Sequence, residues 1–263
     1  MSLFTQKFHR IISYFSFWMR STNQHGVHSP FVYSMVTQCF YKKNTPESRN
    51  QIRKFIHTLL EDKHRITVKN LRRNSTILPA QKRPIKVITK KTGIPLKQAL
   101  LLNRLTTYIG TTNALELGTS VGIGSASICL SNSDVKLTTI ENCPETTLVA
   151  QSYFDRFDIT NAYIRKDGFQ SFLNSLSKET YDLIFLNVHQ EEKETLSYID
   201  QLIHHTHNDS IIILNDIYRS KEMTRAWINI LQNPKVTLSI DTYHWGIIGF
   251  RKEQAKEHFC IRV

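Results

Sequence analysis

Cysteine is scarce in this chain of 263 residues, and what there is stands far apart: Cys39, Cys129, Cys143 and Cys260 include no Cys-x-x-Cys pair. That spacing excludes a zinc knuckle and a disulfide framework, and it fits a reducing, cytoplasmic compartment. Cys129 reads most simply as a small core residue. Long apolar runs are missing too. The apolar run at residues 11–18 is too short and too interrupted by serine to span a bilayer, and no small-residue cleavage site follows it, so no transmembrane segment is expected. Acidic residues vanish between positions 63 and 114. Twelve cations fall there, as many as the formal net charge of +12, so the rest of the chain is balanced. Aromatic residues are absent from 63 to 107, which weakens any surface that would stack single-stranded bases. What remains suffices for a full core, because 40% of the residues are hydrophobic.

The most informative stretch is Leu115-Glu116-Leu117-Gly118-Thr119-Ser120-Val121-Gly122, an apolar strand that runs into a glycine-bearing turn opening a helix. Gly118 can take the backbone angles of a tight turn, and Gly122 leaves room for a ligand to approach the main chain. Thr119 and Ser120 offer hydroxyls beside the helix start. A turn of this kind also serves plain helix–strand packing, but a second signal strengthens the ligand reading. Residues 135–140 form another buried strand, and Glu141 ends it roughly 20 residues after the glycines, where an acid accepts hydrogen bonds from ribose hydroxyls. Together they predict an adenosine-type cofactor. Further short apolar strands end in polar residues: 162–165 before Asp167-Gly168, 183–186 before Asn187, and 211–214 before Asn215-Asp216. Helical patterns at 146–157, 195–205 and 221–231 separate them. This alternation predicts a parallel sheet covered on both faces, with ligands outside the carboxyl ends of its strands.

Taken in order, these motifs resemble the class I S-adenosylmethionine-dependent methyltransferases over residues 97–263. The resemblance implies an α/β, Rossmann-like doubly wound fold. Its mostly parallel seven-stranded sheet would close with an antiparallel C-terminal hairpin at residues 236–243 and 246–251, and an N-terminal helical segment would be added. It implies S-adenosyl-L-methionine as cofactor. Glu116, Gly118, Thr119, Ser120 and Gly122 would wrap its methionine part, Glu141 would hold its ribose and Asp167 its adenine amine, with Asn142 also among the cofactor-binding residues. Tyr181-Asp182-Leu183-Ile184-Phe185-Leu186-Asn187 is similar to the family's fourth motif, which normally ends in aspartate. Asn215-Asp216-Ile217-Tyr218 resembles the O-methyltransferase branch that includes the catechol and caffeoyl-CoA enzymes. Gly26-Val27-His28-Ser29-Pro30-Phe31, with Ser220-Lys221-Glu222-Met223, resembles an uncharacterised bacterial group within it.

The departures from that branch bear on chemistry. Its metal-dependent members hold a divalent cation with the fourth-motif acid and an Asp-Asn pair at the next strand end. Here Asn187, Asn215 and Asp216 stand there, one carboxylate where two are usual, and hard cations prefer charged oxygen ligands. No metal is therefore expected. Asn187 can orient cofactor or substrate through its amide, and Asp216 is the remaining carboxylate. His189 is the nearest general base by sequence, although an ordinary exposed loop histidine is the more frequent explanation in a chain with eleven. His28 is weaker still, since Ser29-Pro30 reads as a helix start with serine capping and proline at the first position.

Outside the resemblance, residues 1–62 read as an N-terminal helical cap, 63–96 as a basic connecting segment and 97–263 as the methyltransferase domain. Phe4, Phe8, Ile11, Ile12, Phe15, Trp18 and Met19 recur at helical spacing, and something must cover that face. Docking on the methyltransferase domain or on a second subunit in a homodimer is preferred to a membrane-surface helix. Further helices are expected at 31–41 and 51–60. The leading function is O-methylation of a small-molecule acceptor. Two rivals are an RNA or DNA methyltransferase docked through residues 63–104 and a cofactor-binding protein with weak or no catalysis. Against the first, Asn187-Val188-His189-Gln190 is not the Asn-Pro-Pro-Tyr type of motif used on base amines.

Overall fold

The structure, a computed structural model, describes residues 3–68, 81–188 and 191–263. In chain order its elements are α1 (Leu3–Arg20), α2 (Pro30–Met35) continued by a π-turn (Val36–Phe40), α3 (Pro46–Glu61), β1 (Arg65–Val68), β2 (Gln81–Pro84), α4 (Ile85–Thr92) and α5 (Leu96–Tyr108). Then come β3 (Asn113–Leu117), α6 (Ile123–Cys129), β4 (Lys136–Glu141), α7 (Pro144–Arg156), β5 (Ala162–Lys166), α8 (Phe169–Asn174), β6 (Leu183–Leu186) and α9 (Glu192–Leu202). The chain closes with β7 (Ile211–Asn215), α10 (Lys221–Gln232), β8 (Leu238–Asp241), β9 (Trp245–Gly249) and β10 (Glu257–Cys260).

Strands β3 to β10 form an eight-stranded sheet in the order β10-β8-β9-β7-β6-β3-β4-β5. The pairs β3–β4, β4–β5, β6–β7 and β8–β10 are parallel, while β9 runs antiparallel to β7 and β8. This is the doubly wound α/β architecture expected from the alternating pattern, including the closing hairpin. The eighth strand, β10, was not expected. Its Glu-His-Phe-Cys sequence has neither a continuous apolar run nor two-residue alternation, so nothing local marks it. Tertiary pairing creates it: Thr22 bridges to Ile261, and the Thr22 N–H donates to the Cys260 carbonyl at 2.8 Å. The chain after α1 thus occupies hydrogen-bonding groups on an edge that would otherwise be open.

The chain divides into two compact units, Met1–Tyr41 with Leu176–Val263, and Lys42–Ser175. In the first, Phe185 and Trp245 pack edge to face at 6.0 Å. Met223, Ala226, Trp227 and Ile230 form the buried stripe of α10, spaced as one face of a helix requires. Ser220 caps that helix, accepting from the Met223 N–H at 3.2 Å. Gly246 is needed where β9 passes Trp227, because a Cβ there would lie 2.5 Å from the indole ring. At α2, Pro30 does occupy the first helical position, but the Ser29 side chain makes no capping hydrogen bond. The serine cap is thereby corrected: proline presets the first helical φ and holds its predecessor extended, which starts the helix without a side-chain acceptor.

In the second unit, Ile52, Phe55, Ile56 and Leu59 bury one face of α3, and Phe55 meets Tyr153 and Phe157 of the α7 region at 5.9 and 5.0 Å. The described part of the basic segment forms secondary structure. Strands β1 and β2 pair antiparallel from Arg65↔Pro84 to Val68↔Gln81, and α4 buries Ile85, Ile88 and Thr89. Lys69, Arg72 and Arg73 lie outside the described residues.

Candidate cofactor cradle and acceptor site

The turn after β3 is shaped by three left-handed residues: Gly118 (φ 99°), Ser120 (φ 52°) and Gly122 (φ 86°). Glycine tolerates such angles and serine does so at a cost, so this path is held by its surroundings. The Gly118 N–H donates to the Ile140 carbonyl at 2.9 Å, tying the turn to the end of β4. Gly122 N-caps α6, and a Cβ there would lie 2.7 Å from the Phe154 ring. Any larger residue would therefore push the turn off that ring.

Glu141, at the end of β4, completes the turn. Its Oε2 accepts the Ser120 N–H at 2.7 Å, and its Oε1 accepts the Cys143 N–H at 3.0 Å. Burial raises its pKa, opposed by these backbone N–H donors. Asn142 follows it, half-buried. Asp167 lies just past β5, and its N–H donates to the Glu141 carbonyl at 3.1 Å. Its carboxylate accepts the Gly168 N–H at 2.8 Å and pairs with Arg165 at 2.9 Å. A hydrogen bond from Ser171, then those from Gly168 and Arg165, hold its pKa below the ordinary carboxylate value. Glu141 and Asp167 thus share one rim of the parallel sheet.

Two other motif residues point inward. Glu116 is fully buried, and its Oε2 accepts hydrogen bonds from the hydroxyls of Ser125 and, at 2.7 Å, Thr139. Its Oε1 has no hydrogen-bond partner among the described residues. Desolvation, reinforced by the charge of Glu141, raises its pKa to about 7 against those two donors. The Thr119 hydroxyl is likewise buried, on Thr139 at 2.6 Å. Ser120 turns its hydroxyl to Thr92 at 2.6 Å, a contact that no motif in the sequence marks.

The ends of β6 and β7 are built differently. The Trp245 indole N–H donates to Asn215 Oδ1 at 2.9 Å. An indole nitrogen can only donate, so it sets the orientation of the Asn215 amide, which then donates from Nδ2 to Asn187 Oδ1 at 2.8 Å. The next residue, Asp216, is left-handed (φ 58°), and its N–H donates to the His244 carbonyl at 2.6 Å. Its carboxylate faces Arg10 of α1 at 3.5 Å. The sequence reading missed Arg10 and Trp245, because nothing local to either position signals a partner on another element. His189 lies outside the described residues. Among the described residues, no group of three or more His, Cys, Asp or Glu side chains is arranged to hold a metal ion. A cavity of about 470 Å³ in the Lys42–Ser175 unit opens near Ser133 and Thr160, before β4 and β5, and none of the cradle residues lines it.

A mostly parallel doubly wound sheet with an antiparallel strand inserted near one edge is the fold of the class I methyltransferases. Three solved structures share it with this chain. An SAH-bound methyltransferase from Podospora anserina aligns with TM-score 0.60 at 10% identity, over 86% of this chain and 97% of that one. The O-methyltransferase TomG from Streptomyces achromogenes, solved with SAM and involved in tomaymycin synthesis, aligns at 0.57 and 11%, over 84% and 95%. An O-methyltransferase from Bacillus cereus, in complex with SAH, aligns at 0.55 and 15%, over 84% and 96%. At these identities the likeness is one of fold. No protein-family model matches the chain, and no curated protein matches it in sequence.

Proposed function

We propose that the protein is an S-adenosylmethionine-dependent methyltransferase that methylates an oxygen of a small-molecule acceptor. The observation that carries the reading is the cradle, in which a left-handed Gly-Thr-Ser-Val-Gly turn is latched through the Ser120 N–H to the carboxylate ending the neighbouring strand. The residues fit the cofactor. Gly122 has no room for a side chain, which keeps the turn close-packed on Phe154, and Glu141, fixed at its strand end by the Ser120 and Cys143 N–H groups, is the acid that would meet a ribose hydroxyl. Asp167 sits on the next strand end for the adenine amine.

When bound, the sulfonium supplies an already activated methyl group, and the protein's task is then mainly positioning. Asn187, its amide oriented through Asn215 and Trp245, holds a neutral polar group at its strand end. Asp216 and His189 are the groups proposed to take the acceptor's hydroxyl proton. Calorimetry with S-adenosylmethionine and S-adenosylhomocysteine tests the reading, followed by product analysis with candidate acceptors, with and without magnesium. Saturable heat with both ligands and a methylated product are expected; no heat with either overturns it.

A second reading, a nucleic-acid substrate docked through residues 63–104, draws support from the exposed Lys82, Lys90, Lys91 and Lys97. A steep fall of RNA affinity with salt would favour it.

A further inference from the structure

We propose that α1 anchors the protein on an anionic lipid surface. Helix α1 docks on its own unit by one side only. Ser13 and Phe17 are buried there, His9 Nε2 lies 2.9 Å from Thr224 Oγ1, and the Tyr243 hydroxyl donates to the Arg10 carbonyl at 2.9 Å. The opposite side carries Phe8, Ile11, Ile12, Phe15 and Met19, spaced as one face of a helix, and all are more than half exposed. Phe15 and Met19 reach 66% and 74%. The aromatic and aliphatic face anticipated from the sequence is therefore the face turned away from the unit. Single exposed apolar residues are ordinary, but a contiguous stripe of this kind marks an interaction surface.

Charge selects the occupant. Residues 1–46 contain no aspartate or glutamate; of the cations on α1, Arg10 and Arg20 are held on the docked side by Asp216 and the Tyr218 hydroxyl, and Lys7 stands exposed beside the stripe. Lys7, Tyr14 and Trp18 fall seven and eleven residues apart along one flank of the stripe, all exposed. A cation and two amphipathic aromatics beside an apolar stripe suit the headgroup level of a membrane, where the rings sit at the boundary and the ammonium meets lipid phosphate. A second copy of the chain is the poorer partner, because neither copy's α1 carries an acid to meet the other's Lys7. Among the described residues no helix is long and apolar enough to cross a membrane, so α1 would lie in the surface plane.

The test uses the full chain with vesicles of phosphatidylcholine alone or mixed with phosphatidylglycerol, read by flotation and by tryptophan fluorescence. Trp227 and Trp245 are 2% and 0% exposed against 52% for Trp18, so a blue shift on adding vesicles reports α1. Flotation with the anionic vesicles, weakened by salt, and a blue shift are expected. The double variant Phe15→Ser with Met19→Ser should bind at least about tenfold more weakly while unfolding at the same temperature as the parent, since two apolar anchors are removed from an exposed face. Absence of flotation and shift at low salt overturns the proposal. So does a dimer in sedimentation that the double variant splits, which would make a second copy the occupant.

Discussion

The carboxyl ends of β3 and β4 and those of β6 and β7 do similar topological jobs with opposite chemistry. At the first pair, backbone N–H groups converge on one carboxylate, Ser120 from the left-handed turn and Cys143 from the start of α7, both on Glu141. At the second, neutral amides hold one another, Asn215 on Asn187 under the direction of Trp245, and the one carboxylate, Asp216, faces Arg10. The first arrangement is assembled from residues close in sequence, Gly118 to Gly122 and Thr139 to Cys143. The second draws Arg10 from 206 residues away. An arrangement built from near neighbours can be kept while one that draws on distant residues is rebuilt, and a fold can in this way carry different sites.

The contrast breaks most visibly at Gly118. Gly118→Val places a β-branched residue at φ 99° and should weaken S-adenosylmethionine binding by about a thousandfold, ~4 kcal/mol, read by calorimetry. Unchanged affinity would detach the cofactor from this turn.

Beneath the turn, Glu116 links the cradle to pH. Its folded carboxyl titrates near 7 against 4.5 as the ordinary value, so between those limits the folded state keeps a proton that the unfolded state releases. Stability from this group is therefore full below about pH 4.5, falls as pH rises through 7 and is level above, a change on the order of 3 kcal/mol. Glu116→Gln should flatten the dependence of melting temperature on pH from 5 to 8 and leave the protein at least as stable as its parent at pH 8. Identical slopes for the two would show that Glu116 is not the titrating group.

Smaller effects sharpen the division. Glu141→Ala removes both the proposed ribose acceptor and the partner of the Ser120 N–H, and should cost about tenfold to a hundredfold in cofactor affinity. Asp216→Ala should leave that affinity within about twofold while lowering the methyl-transfer rate about tenfold or more, as removal of a proton acceptor does. Magnesium dependence that disappears with this substitution would show that Asp216 serves a metal. Least affected should be Lys82→Ala with Arg83→Ala, which ought to change small-acceptor turnover by less than about twofold. A large loss there would point to a polyanionic substrate.

Much of this was legible before folding. Strands 183–186 and 211–214 are continuous apolar runs, as strands buried on both faces must be, and the Gly-x-x-x-Gly turn declares itself because left-handed backbone favours glycine. Less legible was where the motif side chains point. Glu116 and Thr119 belong to the same motif as Gly118, yet both are directed into the interior, onto Ser125 and Thr139, because side chains of a strand entering a turn are assigned faces by what packs around them. Likewise β10, polar and short, is a strand only because β8 and Thr22 supply its partners.

The alternation of the core strands β3 to β7 with most of the helices between them, the cradle turn and the two rim acids followed from the sequence alone, since each rests on backbone preference and periodicity over a few neighbouring residues. The burial that shifts Glu116, the amide chain from Trp245 to Asn187, the Arg10–Asp216 pair and the outward aspect of α1's apolar face were decided only in the folded chain. They depend on groups brought together across large sequence separations, where electrostatics and packing respond to distance in space.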